Sequence, residues 1–289
     1  MDWDVNCRRS VIGSYRAQLG ETPVWCMRSQ SLLWVDILQQ CLLRYWPTED
    51  QRLEERPMPP FTSAVLLTQQ PETFLVVSQD GIRLYDYATG NFKHYCDYPD
   101  DARGTRPNEA AIAPDGALWF STMDPAAEAA LGSWYRLAPG DNAPQRLLSQ
   151  QWVPNTLHWY DGNIWFADSF RHCFYCADDR INSLTPLAVH PVDGIPDGSA
   201  LTTDGQLINA RWGQSRLVRN QLDGRQIIEL DCLPLPVLQP SSCTFGGPTL
   251  SDLYITSARQ GLSQPSKTDG ALLRVTTTLT GVPARYFRL

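Results

Sequence analysis

The chain has 289 residues, with 24 basic and 31 acidic side chains and a net charge of −7. Hydrophobic residues make up 43% and charged residues 19%, an ordinary globular composition. An acidic chain without a basic block is a poor partner for nucleic acid, and no apolar run reaches the roughly 18 to 20 residues of a membrane span.

The first residues, Met1 to Arg9, carry acids where a signal peptide wants basic residues, and no apolar stretch follows. The expectation is a soluble, cytoplasmic protein with no membrane or nucleic-acid partner. Eight of the 19 glycines follow an aspartate. Asp-Gly favours positive φ and marks tight hairpins, so many strands and few helices are expected.

Short apolar runs recur along the chain. They are Leu33–Asp36, Phe74–Val77, Leu118–Ser121, Ile164–Ala167, Leu207–Ala210 and Leu253–Thr256, with starts 41, 44, 46, 43 and 46 residues apart. Most are trailed by a second run: Leu42–Tyr45, Ile82–Tyr85, Trp134–Leu137, Cys173–Cys176 or Leu272–Val275. A multi-strand repeat of this period is a propeller blade, and six periods over 289 residues leave about 48 for each. The predicted fold is therefore all-β, a six-bladed β-propeller occupying residues 1–289 as a single domain. No window carries apolar residues at helical spacing, which disfavours a two-domain α/β chain. Pro57 to Pro60 and Leu233 to Pro240 read as loops between blades. Closing the ring requires joining its ends, through either Val11 to Tyr15 or Tyr286 to Leu289.

The motifs GxxxxGK[ST], GxSxG, GxGxxG and HExxH are absent, and the four histidines lack metal spacing. Cys173 and Cys176 form a lone CxxC whose side chains would face opposite sides of a strand; the eight cysteines read as packing thiols.

Acids and amides flanked by Pro or Gly stand at the entrances to blades: Glu21 before blade one, Asn108 before blade three, Asn155 before blade four and Asp197 before blade five. Successive separations of 87, 47 and 42 residues resemble one or two periods, and equivalent positions in a ring converge on its channel. Oxygen donors of this type suit a hard divalent cation, so Glu21, Asn155 and Asp197 are candidate ligands; the competing reading is that they cap turns. Trp34, Trp119 and Trp165 follow the repeat and are expected to pack blades, Asp168 to serve structure, and Trp212 is a candidate for the channel wall.

Taken in order, these segments resemble the SMP-30/gluconolactonase family, the group of regucalcin and bacterial sugar lactonases. The resemblance is carried by Gly20-Glu21-Thr22-Pro23-Val24-Trp25, Leu32-Leu33-Trp34-Val35-Asp36-Ile37 and Arg106-Pro107-Asn108-Glu109-Ala110. It continues through Gly116 to Met123, Asn155-Thr156-Leu157-His158-Trp159, Ala167-Asp168-Ser169, Gly194-Ile195-Pro196-Asp197-Gly198, Ser241 to Gly247 and Leu253 to Ala258.

The resemblance implies a metal site in the central channel, with Glu21, Asn155 and Asp197 as protein ligands of one divalent cation (Ca²⁺ first, with Zn²⁺, Mn²⁺ or Mg²⁺ as alternatives). It implies Arg106 and Asn108 as substrate-binding residues and hydrolysis of a small-molecule sugar lactone to its aldonic acid, with Asp197 as general base. Alternative functions are a phosphotriesterase-like or other ester hydrolase on the same metal, or a non-enzymatic calcium-binding propeller. The sequence departs from the family pattern at Thr22, Ala110 and Thr156, which stand where glycines are usual, and at Glu109, which replaces an aspartate. Positions that need positive φ would strain such side chains. Asp124 is the nearest match to an acid that relatives carry after Thr-Met.

Overall fold

Alternating apolar residues punctuated by Asp-Gly turns are built to form short antiparallel strands, and these dominate a computed structural model that describes residues 9–179 and 184–289. Strand β1 (Arg9–Ile12) comes first. Blade one follows as β2 (Gly20–Cys26), β3 (Ser31–Asp36), β4 (Cys41–Trp46) and β5 (Arg52–Pro57). Blade two is β6 (Ala64–Leu67), β7 (Thr73–Ser78), β8 (Gly81–Asp86) and β9 (Phe92–Cys96). Blade three is β10 (Arg106–Ile112), β11 (Leu118–Met123), β12 (Gly132–Leu137) and β13 (Gln145–Gln151). Blade four is β14 (Pro154–Tyr160), β15 (Asn163–Asp168), β16 (Cys173–Asp178) and β17 (Ala188–Pro191). Blade five is β18 (Ile195–Leu201), β19 (Gln206–Trp212), β20 (Arg216–Asp223) and β21 (Gln226–Pro234). Blade six is β22 (Gln239–Gly246), β23 (Asp252–Ala258) and β24 (Leu272–Thr276), completed by β1.

The architecture is a six-bladed β-propeller, each blade a four-stranded antiparallel sheet. Every recurring apolar run in the sequence is a second strand of a blade, and the trailing runs are third strands. These strands are buried on both faces between neighbouring blades, which is why they read as near-continuous apolar runs. Trp34, Trp119 and Trp165 are buried as expected, and Trp119 meets Trp159 edge to face at 5.4 Å.

Ring closure uses the N-terminal option: Val11 pairs with Leu273 and Ile12 with Leu272. The C-terminal residues do not complete a blade. Instead the chain crosses one end of the ring, with the Val282 N–H on Leu201 O (2.9 Å), the Arg288 N–H on Gly116 O (3.3 Å) and the Phe287 N–H on Leu67 O (2.8 Å). Phe287 is fully buried beneath this strap. The segment from Leu233 is only partly a loop: β21 extends to Pro234 and β22 begins at Gln239, because pairing with β20 carries the outer strand further than its composition suggested.

Seven cysteines lie in the described residues, all with free thiols, and Cys7 lies outside them. Burial raises the Cys173 thiol and pushes that of Cys176 up to about 11, consistent with packing. No helix among the described residues is long and apolar enough to cross a membrane.

Candidate functional site

The first strand of each blade lines the central channel, and five of these six strands are broken by a register shift. The shifts fall between Glu21 and Val24, Pro107 and Ala110, Asn155 and Leu157, Pro196 and Ser199, and Pro240 and Ser242. A bulge leaves residues unpaired and re-aims their side chains. Here the bulges fall at or beside Glu21, Asn108, Asn155 and Asp197. Thr22 (φ 44°) and Thr156 (φ 51°) adopt the left-handed conformation of the glycines usual at these places, whereas Ala110 does not.

The leading halves of these strands surround a cavity of about 610 Å³ lined by Glu21, Arg106, Asn108, Asn155 and Asp197 together. All five sequence-derived site residues thus share one space. The trailing halves surround a smaller cavity of about 150 Å³, lined by Thr22, Glu109, His158 and Ser199 and covered by Arg285 of the C-terminal strap.

Hydrogen bonds fix the amide at the centre. The Ser169 hydroxyl donates to Pro196 O (2.6 Å), so it accepts from Asn155 Nδ2 (2.8 Å). That leaves Asn155 Oδ1 as the outward-facing acceptor, where Asn108 Nδ2 donates at 3.1 Å with one oxygen lone pair still free. Asn108 Nδ2 also donates to Pro154 O (2.9 Å), so both of its amide hydrogens serve the protein and only Oδ1 remains for a ligand. Arg106 Nη1 donates to Pro107 O (2.9 Å) and Asn108 Oδ1 (3.0 Å). Arg106 is buried rather than a solvated surface charge.

Arg106 faces two carboxylates, Glu21 and Asp197, and Glu109 adds its charge to theirs from behind. Burial, then Glu109, pushes Glu21 up to about 8, against the Thr22 N–H and Arg106. Burial, with Glu21 and Glu109, raises Asp197 well above the usual carboxylate range. Burial pushes Glu109 up to about 7, although the N–H groups of Ala110 (2.9 Å) and Thr156 (3.0 Å) bind its oxygens. Arg106 is pushed down to about 10 by the same desolvation. Such a cluster is short of positive charge.

A hard divalent cation fits that deficit, and the available donors, two carboxylates and an amide oxygen, are oxygens. Among the described residues no three His, Cys, Asp or Glu side chains form a metal cage, so the candidate set depends on Asn155.

The outer wall of the larger cavity is mostly apolar, with Leu19, Met123, Val153, Phe170, Ile195 and Trp212. Trp212 therefore lines the channel mouth. Phe170 is 52% exposed and stacks on Trp152 at 4.1 Å. Asp168 serves structure, accepting from the N–H groups of Trp152 (3.0 Å), Val153 (3.3 Å) and Phe170 (3.1 Å). Asp124 organises its own loop through the N–H groups of Glu128 (2.9 Å) and Ala129 (3.0 Å). The sequence motifs give Glu109 only as a replaced family residue and leave Ser169 without a role. Their adjacency to Asn108 and Asp168 was the available signal.

The family model for the SMP-30/gluconolactonase/LRE-like region matches residues 19–259. The L-arabinolactonase of Azospirillum brasilense is 32% identical, with 90% of this chain and 87% of that one covered. A regucalcin of Danio rerio is 28% identical, covering 85% and 84%. The crystal structure of a calcium-binding regucalcin from Agrobacterium tumefaciens is 26% identical, covers 96% of this chain and 97% of that one, and superposes with a TM-score of 0.87. The chain belongs to the SMP-30/gluconolactonase/LRE-like family.

Proposed function

We propose that the chain hydrolyses a small sugar lactone to its aldonic acid, using one divalent cation, Ca²⁺ in the first instance, held by Glu21, Asn155 and Asp197. The observation that carries this reading is the enclosure of Glu21, Arg106, Asn108, Asn155 and Asp197 around one cavity. The named lactonases among the relatives, including the L-arabinolactonase and a 6-deoxy-6-sulfogluconolactonase of Pseudomonas putida that is 28% identical, support the substrate class.

When bound, the cation supplies Lewis-acid polarisation of the lactone carbonyl. Asp197 takes a proton from the water that adds to the carbonyl carbon. Without a cation, its burial beside Glu21 and Glu109 raises its proton affinity, and a cation held by the same carboxylate would lower it again. The ring C–O bond then breaks, and the proton held on Asp197 passes to the departing oxygen, leaving a hydroxy acid. Arg106 keeps Nε and Nη2 without a protein partner among the described residues, so it can donate to the carbonyl or to ring hydroxyls. Asn108 orients Arg106 and Asn155 and offers substrate only its amide oxygen. The apolar wall with Trp212 suits the non-polar face of a sugar ring.

Acid release from a panel of aldono-lactones, with Ca²⁺, Zn²⁺, Mn²⁺ or Mg²⁺ added to chelator-treated protein, tests the reading. Turnover that depends on added cation supports it; no turnover with any of the four ends it. A second reading is cation binding without catalysis, favoured by the calcium-binding regucalcin relative. Tight cation binding with no acid release from any lactone or ester would select it.

A further inference from the structure

The backbone that presents Asp197 is not held by the backbone ladder of its own sheet. Pairing between β18 and β19 skips from Pro196 to Ser199, which leaves the Asp197 carbonyl outside the ladder. Two side chains take it instead. Thr156 Oγ1, on blade four, donates to Asp197 O at 2.7 Å, and Asn209 Nδ2, on β19, donates to the same oxygen at 2.7 Å. Asn209 is itself oriented: Arg211 Nη1 donates to its Oδ1, which forces Nδ2 towards Asp197.

Both ends of this arrangement are costly. Thr156 is β-branched and sits at φ 51°, a conformation such residues rarely adopt. Arg211 is 0% exposed, yet its Nε and Nη2 have no hydrogen-bond partner among the described residues. A buried guanidinium with two unpaired donors and a strained threonine persist only where surrounding structure imposes them, and strain of this kind clusters at functional sites. Here the two meet on one carbonyl, that of the residue read as both ligand and base. Gly198 adds a third constraint, because a Cβ there would fall 2.5 Å from Ser242 Cβ and 2.9 Å from its Cα, so blade six closes against the same bulge.

We propose that Thr156, Asn209 and Arg211 are positioning residues that clamp the carbonyl of Asp197 and so set the direction of its carboxylate into the channel. The proposal rests on the role given to Asp197 above. The threonine half of the clamp recurs in the ring: Thr22 of blade one donates to Ser63 O (2.8 Å), 41 residues on, as Thr156 does to Asp197 O. What sets blades four and five apart is the second donor, Asn209, and a carbonyl that belongs to a site residue.

The test compares wild type with Thr156→Gly and Thr156→Ser for lactone turnover, Ca²⁺ affinity by calorimetry and thermal midpoint. Glycine relaxes the left-handed backbone while deleting the hydroxyl. The melting temperature is therefore expected to hold or rise, while kcat falls about tenfold with little change in KM and Ca²⁺ affinity weakens several-fold. Serine restores most of both losses.

Thr156→Gly equal to wild type in kcat and affinity overturns the clamp. So does Thr156→Ser no better than Thr156→Gly, or a loss of activity that merely follows a lower melting temperature. If wild type binds Ca²⁺ but turns over no lactone, the proposed activity fails while affinity still decides the clamp. If wild type neither binds nor turns over, both are overturned.

Discussion

Blade two and its neighbours are built from similar strands and do different work. Its channel strand, Ala64–Leu67, pairs with β7 without a register shift, and all four of its residues are buried. The channel strands of blades one, three, four and five are each shifted, and each brings at least one polar residue to the larger cavity. A bulge is thus shared by every site strand but does not by itself make one: β22 of blade six is shifted too, yet brings only Gln239 to the larger cavity. An unbroken ladder directs its side chains into the core, whereas a bulge turns one residue towards the axis. That contrast also accounts for the 87-residue interval between Glu21 and Asn108, which passes over blade two, the blade with the unbroken channel strand.

The largest effect is expected where a bulge carries the proposed base. Asp197→Asn should lower kcat by about a thousandfold. Without added cation its melting temperature should not fall, because one of three mutually repelling carboxyls, the most buried one, is removed. Activity within tenfold of wild type would break the division between blades.

In the unbroken strand the expectation reverses. Leu66→Ala should cost about 3 kcal/mol in denaturant unfolding, with kcat of the folded enzyme unchanged. A selective loss of kcat at full stability would mean that β6 also shapes the site.

Ser169→Ala sharpens the comparison within blade four. It frees the Asn155 amide to rotate, so cation affinity should fall about tenfold by calorimetry. Unchanged affinity would remove Asn155 from the ligand set.

The smallest effect concerns the opposite end of the channel. Burial pushes His158 down to about 4 from 6.5, although Ser199 O lies 3.1 Å from its Nε2. Between pH 6.5 and about 4 the unfolded chain takes up a proton that the folded chain refuses. Stability from this group is therefore complete above 6.5 and declines as pH falls through that window. His158→Gln should lose less stability than wild type between pH 7 and pH 4.5 in urea titrations, and equal losses would refute the assignment.

The repeat was legible because second and third strands, such as Leu33–Asp36 and Leu42–Tyr45, are sandwiched between blades and must be apolar. The outer strands were not: β5 (Arg-Leu-Glu-Glu-Arg-Pro) and β13 (Gln-Arg-Leu-Leu-Ser-Gln-Gln) face solvent over much of their length and share no pattern. Glu21, Asn155 and Asp197 were legible from their Pro and Gly neighbours. Ser169, Asn209 and Arg211 were not, because their roles come from cross-strand register, which brings Asn209 opposite Ser199 and so beside Asp197. The choice between two ring closures also needed register, since both candidate segments are short and partly apolar.

The central claim is that Glu21, Asn155 and Asp197 together hold one cation. Calorimetric titration of Ca²⁺ into chelator-treated wild type and a Glu21→Gln/Asp197→Asn variant tests it most directly. One cation per chain in wild type and none in the variant is the predicted result. No binding by wild type, or equal binding by the variant, would contradict the account.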